Sequence, residues 1–198
     1  MCARAKQTRR IGWIGLGTMG LPMALRLADK SGCAVYGCDI VPAAMDAFAS
    51  MGGIPEPDSA ALLENSDVVF LSLPGNALVQ ETLTDAVRRC RRGTVVVDTS
   101  SSLPAVIQSC AAQAAARGVE LIDCPVSGGA EAAAEGRLSA MCGGSETALA
   151  RVSPLLACFA ARVTHMGSLG SGYAAKLINN LLVAIGRRAN TESLHLDA

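Results

Sequence analysis

The sequence predicts an α/β protein: a doubly wound, mainly parallel sheet with helices on both faces, followed by the start of a long helix. Three observations carry that prediction. Short apolar runs alternate with longer segments of helical period, five strands and four helices in turn before residue 123. The first strand passes into the first helix through three spaced glycines. The apolar content, 51% of the chain, is aliphatic and small, with only 3% aromatic residues, as expected for parallel strands covered on both sides.

The first strand is Ile11 to Ile14, and the helix after it carries Met19, Met23, Leu25 and Leu27 with Arg26 and Lys30. Ala34 to Asp39 reads as the second strand and Pro42 to Met51 as a helix, with proline at an early helical position and Gly52-Gly53 as its stop. Ser59 is expected to cap a short helix through Leu63. Asp67 to Leu73 is a buried strand broken by Pro74-Gly75-Asn76, and Gln80 to Arg92 is helical with a basic end. That end (Arg88, Arg89, Arg91, Arg92) suits a helix C-terminus and reads as a solvated surface rather than an anion site. Thr94 to Val97 is a strand ending at Asp98. Leu103 to Arg117 is an Ala-rich helix closed by Gly118, and Val119 to Ile122 is a strand ending at Asp123. Leu138 to Gly144 and Arg162 to Met166 read as two more strands. The helix between them, Ser145 to Ala160, is bent or interrupted by Pro154.

Seventeen basic and seventeen acidic residues leave no net charge. This argues against nucleic acid, which needs a basic footprint, and against an electrostatically held membrane surface. No stretch has the unbroken apolar length of a membrane helix. The basic residues Arg4, Lys6, Arg9 and Arg10 lead straight into the first strand, a pattern that does not fit a secretory signal. The eight cysteines show no C-x-x-C, and there are two histidines, His165 and His195. A metal site is therefore not expected, and the cysteines read as buried thiols of a cytoplasmic protein. His165, at a strand end, reads as structural.

Gly15-Leu16-Gly17-Thr18-Met19-Gly20 is a G-x-G-x-x-G between strand and helix, the context that a dinucleotide-binding loop requires. Gly15 allows the tight turn, Gly17 admits a pyrophosphate to the backbone, and Gly20 lets the helix pack against the strand. The helix N-terminus then faces the phosphates. Asp39 follows Gly20 by nineteen residues, near the spacing of about twenty for a carboxylate that binds the adenosine ribose. Ribose binding is read over a plain turn or cap residue. Ile40, Val41 and Pro42 supply no cation for a 2′-phosphate, which favours NAD over NADP.

Two later stretches carry chemistry. Ser127, Gly128 and Gly129 leave a strand and enter an Ala-rich helix. They form either a neutral cradle for a small carboxylate or a loop that only reverses the chain. After Gly167-Ser168-Leu169-Gly170-Ser171-Gly172 comes a helix from Tyr173 to about Ile185 in which Lys176 and Asn180 share a face. A lysine and two amides in so apolar a helix call for a reason, although a lysine that snorkels to water is an equal reading.

These motifs together resemble the β-hydroxyacid dehydrogenases, the family of hydroxyisobutyrate dehydrogenases, tartronate semialdehyde reductases, threonate dehydrogenases and, more distantly, phosphogluconate dehydrogenases. Gly15 to Gly20 matches the cofactor loop. Asp123 to Gly136 matches D-x-P-V-S-G-G-x-x-x-A-x-x-G, and Gly167 to Asn180 matches G-x-x-G-x-G-x-x-x-K-x-x-N-N. The resemblance implies a Rossmann-type NAD-binding domain and hydride transfer between the cofactor and a small β-hydroxyacid. It implies Lys176 as acid/base, Ser127, Gly128 and Gly129 as the carboxylate cradle, and Asn180 as a substrate-positioning amide. Leu73, Pro74 and Ser101 would lie near the nicotinamide half. An asparagine common in relatives four residues after that proline is Leu78 here.

Relatives carry an all-helical second domain. On that basis residues 1–172 read as the NAD-binding domain and residues 173–198 as the start of the interdomain helix, about 39 Å long if it runs to the end. The apolar positions Leu181, Leu182 and Ile185 then need a partner, so a homo-oligomer is expected. The rival reading is a non-catalytic dinucleotide-binding or interaction module. The sequence does not identify which β-hydroxyacid is the substrate.

Overall fold

Buried strands of β-branched and aromatic residues build one sheet in the computed structural model, which describes residues 10–196. The basic stretch at residues 4–9, Cys2 and the last two residues lie outside the described part. In chain order the elements are β1 (Arg10–Ile14), α1 (Gly20–Lys30), β2 (Ala34–Cys38), α2 (Pro42–Ser50), β3 (Ile54–Pro55) and α3 (Ser59–Asn65). Then come β4 (Val68–Leu71), α4 (Asn76–Arg89), β5 (Val95–Asp98), α5 (Pro104–Arg117), β6 (Glu120–Asp123) and β7 (Val126–Ser127). The last are α6 (Gly129–Glu135), β8 (Leu138–Gly144), α7 (Glu146–Leu156), β9 (Ala160–Gly167) and α8 (Ser171–Leu196).

The strand order is β3-β2-β1-β4-β5-β6-β8-β7, with β9 also paired to β8. From β3 to β6 every pairing is parallel. β8 runs antiparallel to β6 and β7, and β9 is parallel to β8. The order reverses between β1 and β4. That switch point opens a crevice beyond the carboxyl ends of the strands, where such sheets take their ligands. The structure thus has the expected Rossmann-like, mainly parallel architecture with a C-terminal helix.

Alternate residues of each strand feed two cores. Trp13, Phe70, Val97 and Phe159 lie in one, with α1, and Leu71, Val96, Leu83 and Ile107 in the other, with α4 and α5. Trp13 stacks on Phe70 at 5.0 Å and meets Phe159 edge-on at 5.8 Å. Its indole N–H also donates to the Gly15 carbonyl at 3.0 Å, so the core holds the glycine loop directly.

Several element boundaries differ from the sequence expectation. Asp58, not Ser59, caps α3, its Oδ1 accepting from the Ala60 N–H at 2.9 Å. α4 begins at Asn76 because Gly75, at φ 76°, turns the chain into the helix early. The helix after Ser145 ends at Leu156, with Pro154 in its last turn, and β9 already begins at Ala160. His165 lies inside β9 rather than at its end, and its Nε2 sits 2.9 Å from the Gly144 carbonyl oxygen. The two-residue strands β3 and β7 carry no periodic signal. The basic end of α4 is ion-paired: Arg88 and Arg89 with Asp85, Arg89 with Glu64, and Arg91 with Asp67.

Candidate active site

The strand end of β1 and the first turn of α1 meet through glycine. Gly15 has φ 94°, and a Cβ there would lie 2.2 Å from the Ser72 carbonyl oxygen. A Cβ on Gly20 would lie 1.9 Å from the Gly15 carbonyl oxygen. Both glycines are therefore required by backbone packing. Gly17 differs: it is exposed, and a Cβ would meet nothing within 4 Å. Its glycine is not explained by the protein's own packing, and open space over a loop of backbone N–H groups fits a pyrophosphate. Met19, the N-cap residue of α1, makes no side-chain cap, so the protein's own side chains do not cover that helix start.

Beside the loop runs a groove of about 950 Å³. It gathers Gly15, Gly17, Asp39, Leu73 and Pro74, all expected at the cofactor, together with residues not assigned to it from the sequence. Ile40, Val41, Pro57, Leu63 and Leu78 give it an apolar lining, and Glu81, Asp85 and Arg88 reach it from α4. Leu16 is buried, Thr18 is exposed and Met19 is half-buried, all on the loop itself. Ser101 is exposed just past β5.

Asp39 works as a brace. Its Oδ2 accepts from the Leu16 N–H at 2.6 Å and its Oδ1 from the Val41 N–H at 2.8 Å. Each carboxylate oxygen has a second acceptor site, so the brace leaves capacity for ribose hydroxyls. Arg88 is a cation in this groove that the local sequence around Asp39 did not reveal, and it is tied to Asp85 at 2.6 Å.

The second group of residues lies outside this groove. Ser127 is half-buried at the end of β7, paired with Ser139 of β8. Gly128 and Gly129 are exposed with φ 139° and 80°, at the start of α6. On α8 Lys176 is 9% exposed while Asn180 is exposed. Burial lowers the Lys176 amine below the usual lysine value, toward the neutral form. No ion pair to Lys176 occurs among the described residues. α8 is seated by backbone contact: a Cβ on Gly172 would lie 2.2 Å from the Met141 carbonyl oxygen of β8.

Beneath α8 lies a cluster of which the motifs mark only Asp123, the first residue of D-x-P-V-S-G-G. Asp98 and Asp123 face each other in register at the ends of β5 and β6, and both are fully buried. Asp123 accepts from the Gly170 N–H through Oδ1 at 2.7 Å and from the Tyr173 N–H through Oδ2 at 2.8 Å. The Tyr173 hydroxyl donates to Asp98 Oδ2. Asp98 Oδ1 accepts from the Ser100 N–H at 2.9 Å, and Ser100 Oγ accepts from the Leu73 N–H at 2.8 Å. Burial pushes both carboxyls above their usual range against these hydrogen bonds. The tyrosine hydroxyl is likewise pushed up by burial. The available signal was an acid closing each of two buried strands.

With this geometry in view, comparison places the chain. Residues 10–167 match the NAD binding domain of 6-phosphogluconate dehydrogenase. The chain belongs to this family. Among curated relatives of this NAD-binding family, 2-(hydroxymethyl)glutarate dehydrogenase of Eubacterium barkeri is 36% identical over 94% of this chain and 63% of its own length. The Mycobacterium tuberculosis 3-hydroxyisobutyrate dehydrogenase structure with L-serine superposes with a TM-score of 0.89 at 33% identity, covering 94% of this chain and 64% of that one. Psf3 in complex with NADP+ and 2-OPP superposes with a TM-score of 0.81 at 34% identity, covering 87% of this chain and 62% of that one. The chain thus spans less than two thirds of the length of these relatives. The domain is of the NAD(P)-binding kind that β-hydroxyacid dehydrogenases carry. Among the described residues no helix is long and apolar enough to cross a membrane, and no cluster of metal-ligating side chains occurs.

Proposed function

We propose that this chain carries the cofactor site and the proton-transfer group of an NAD-dependent dehydrogenase acting on small β-hydroxyacids. The observation that carries the reading is Lys176: a lysine 9% exposed, with no ion pair among the described residues, on a helix seated by glycine at the carboxyl end of the sheet. An amine held in that way favours neutrality, which a general base needs.

The relatives support a narrower substrate class. 2-(Hydroxymethyl)glutarate, 3-hydroxyisobutyrate and L-serine, as named for those proteins, share HOCH2–CHR–COO−. They differ in R alone: a carboxyethyl, a methyl or an ammonium group. In the proposed reaction the primary alcohol becomes an aldehyde, with loss of the hydroxyl proton and of one hydride from the same carbon. The nicotinamide, when bound, accepts the hydride. Lys176 takes the hydroxyl proton in oxidation and returns it in reduction. Ser127 and the N–H groups of Gly128 and Gly129 hold the carboxylate, and Asn180 orients the hydroxyl-bearing carbon. Gly15, Leu16, Gly17, Thr18, Met19 and Gly20 hold the pyrophosphate. Leu73, Pro74 and Ser101 border the nicotinamide half.

Asp39 at the groove rim supports NAD over NADP. A 2′-phosphate would meet that carboxylate, and Arg88 is already engaged by Asp85. The seven described cysteines are free, consistent with a reducing compartment such as the cytoplasm.

The test follows NADH formation from 3-hydroxyisobutyrate and L-serine, with NAD+ and NADP+ compared, in wild type and Lys176→Met, alongside calorimetric titration of each cofactor. Turnover that disappears in Lys176→Met while NAD affinity persists supports the reading. Equal turnover in both proteins overturns the role of Lys176. Binding of NAD with no turnover in wild type favours a dinucleotide-binding module, and absence of binding sinks the functional reading altogether.

A further inference from the structure

The buried Asp98–Tyr173–Asp123 cluster is not used by the proton transfer proposed above, and its geometry is that of a tether. Tyr173 is held at two points. Its backbone N–H is fixed to Asp123 of β6 at 2.8 Å, and its ring reaches across the sheet end so that its hydroxyl donates to Asp98 of β5. The preceding turn is held as well, through the Gly170 N–H on the other oxygen of Asp123. A helix residue anchored by both its backbone and its side-chain tip keeps little freedom to rotate or slide. Lys176 stands three residues further on, the next position on that helix side.

The other end of the cluster leads to the cofactor side. Asp98 accepts the Ser100 N–H, and Ser100 Oγ accepts the N–H of Leu73. The chain of contacts therefore runs from the strand end of β4, through β5, to the first turn of α8. Tyr173 stands at an unspecified position of the motif G-x-x-G-x-G-x-x-x-K, so the motif does not by itself account for the tether.

We propose that Tyr173 and Asp98 are positioning residues that set the register of α8 against the sheet and thereby the place of the Lys176 amine one turn further along that helix. The proposal rests on the reading of Lys176 as the acid/base. The hydroxyl of Tyr173 is its necessary part: without it the side-chain anchor is gone, the first turn keeps only the Asp123 hydrogen bonds and the Gly172 backbone contact, and the helix beyond them is free to rotate about its start. The amine then gains water.

The experiment reads the amine directly and does not need turnover. The sequence has three lysines, Lys6, Lys30 and Lys176. Reductive methylation with 13C-formaldehyde therefore gives a small set of NMR signals, and Lys176→Arg assigns the one of interest. The charged and titratable groups on elements packed against α8 are Cys110 and Arg117 of α5, Glu120 and Asp123 of β6, Cys142 of β8, and Arg162 and His165 of β9. Burial is the cause of the lowering at Lys176. A change in its titration thus reports a change in its hydration.

In Tyr173→Phe the Lys176 signal is expected to titrate at higher pH than in wild type, toward an ordinary lysine. That variant strands a buried carboxylate, so Asp98→Asn/Tyr173→Phe serves as the second one. It keeps an acceptor for Ser100, removes the stranded charge, and still lacks the tether. The same upward shift is expected there. Asp98→Asn alone keeps both links, its amide oxygen accepting from the Ser100 N–H and its amide N–H donating to the Tyr173 hydroxyl oxygen, and is expected to titrate as wild type. If both phenylalanine variants, folded by circular dichroism, keep the wild-type Lys176 titration, the positioning role is overturned. A role in stability alone would lower the melting temperature and leave that titration in place. NADH titration of the wild type separates the two layers: failure to bind removes the functional reading, whereas the lysine signal decides the tether independently.

Discussion

Gly17→Ala tests the cofactor loop with two readouts of opposite sign. Gly17 does not have positive φ, and its added Cβ would meet no atom within 4 Å. Alanine is thus sterically free there. By reducing the freedom of the unfolded chain, such a change stabilises by about 0.4–1 kcal/mol. For a domain of this size that raises the melting temperature by about 1–4 °C. Cofactor binding should respond in the other direction. A methyl group over the loop keeps the pyrophosphate from one backbone N–H, and a hydrogen bond to a charged group is worth about 1.5–3 kcal/mol. That corresponds to a Kd for NAD+ weaker by about tenfold to a hundredfold. Isothermal calorimetry and thermal melting on the same preparation measure both quantities. Gly20→Ala is the contrast, because its Cβ would lie 1.9 Å from the Gly15 carbonyl oxygen and must displace backbone. It should lose stability as well as binding. Wild-type affinity in Gly17→Ala, or a drop in its melting temperature, would refute the assignment of that open space to the cofactor.

Three further outcomes are expected. Among the described cysteines Cys33 alone is not buried, and burial pushes the Cys38 thiol up and the Cys90 thiol up to about 12; native thiol titration with an aromatic disulfide should therefore label Cys33 well before the other described cysteines, as peptide mapping can establish. Asp98 has its carboxyl raised by burial, so it binds its proton more tightly folded than unfolded, and its contribution to stability falls as pH rises above the ordinary carboxylate range; denaturant melts should show Asp98→Asn gaining on wild type as pH rises above that range rather than losing. Leu181, Leu182 and Ile185 are 60%, 64% and 56% exposed on α8, and sedimentation should show concentration-dependent self-association that Leu181→Glu/Leu182→Glu abolishes.

Much of the sheet was legible because its strands announce themselves. Val68 to Leu71 and Val95 to Val97 are unbroken apolar runs, buried on both faces, and the helices between them carry a different period. Gly118 closes α5 as expected, and does so in the left-handed conformation at φ 70°. What could not be read is what two-residue elements and distant contacts decide. β3 and β7 exist because β2 and β8 offer free edges, and a pair of residues has no period. The cap of α3 shifted by one residue because aspartate and serine are both good N-caps, so composition does not choose between them. The end of α7 follows from Phe159, whose ring packs against Trp13 and Phe70, contacts far away in the chain. In the site, the glycines and Lys176 stand in local patterns. The partners Asp98 and Tyr173 are 75 residues apart and become visible only when two strand ends and a helix start are brought together.

The two glycine-rich junctions use the same physical device for different ends. At α1, Gly20 lets helix backbone rest on the Gly15 carbonyl, and at α8, Gly172 lets helix backbone rest on the Met141 carbonyl. Contact between backbones is stiffer than contact between side chains, because no rotamer can absorb a displacement. Each helix start is thereby fixed to backbone of the same sheet, at the end of β1 for α1 and at the middle of β8 for α8. The two starts then differ in what they leave open. At α1 the N-cap residue makes no side-chain cap and the space above Gly17 is free, so N–H groups remain for a ligand. At α8 the first turn is filled by Asp123 and Tyr173, so no anion can bind there and the helix instead delivers a side chain, Lys176. Satisfying one helix start internally and leaving the other for the cofactor separates the anionic ligand from the amine. That separation matters: an amine drawn into the phosphate site would be kept charged by the pyrophosphate, and a charged amine cannot take up the hydroxyl proton.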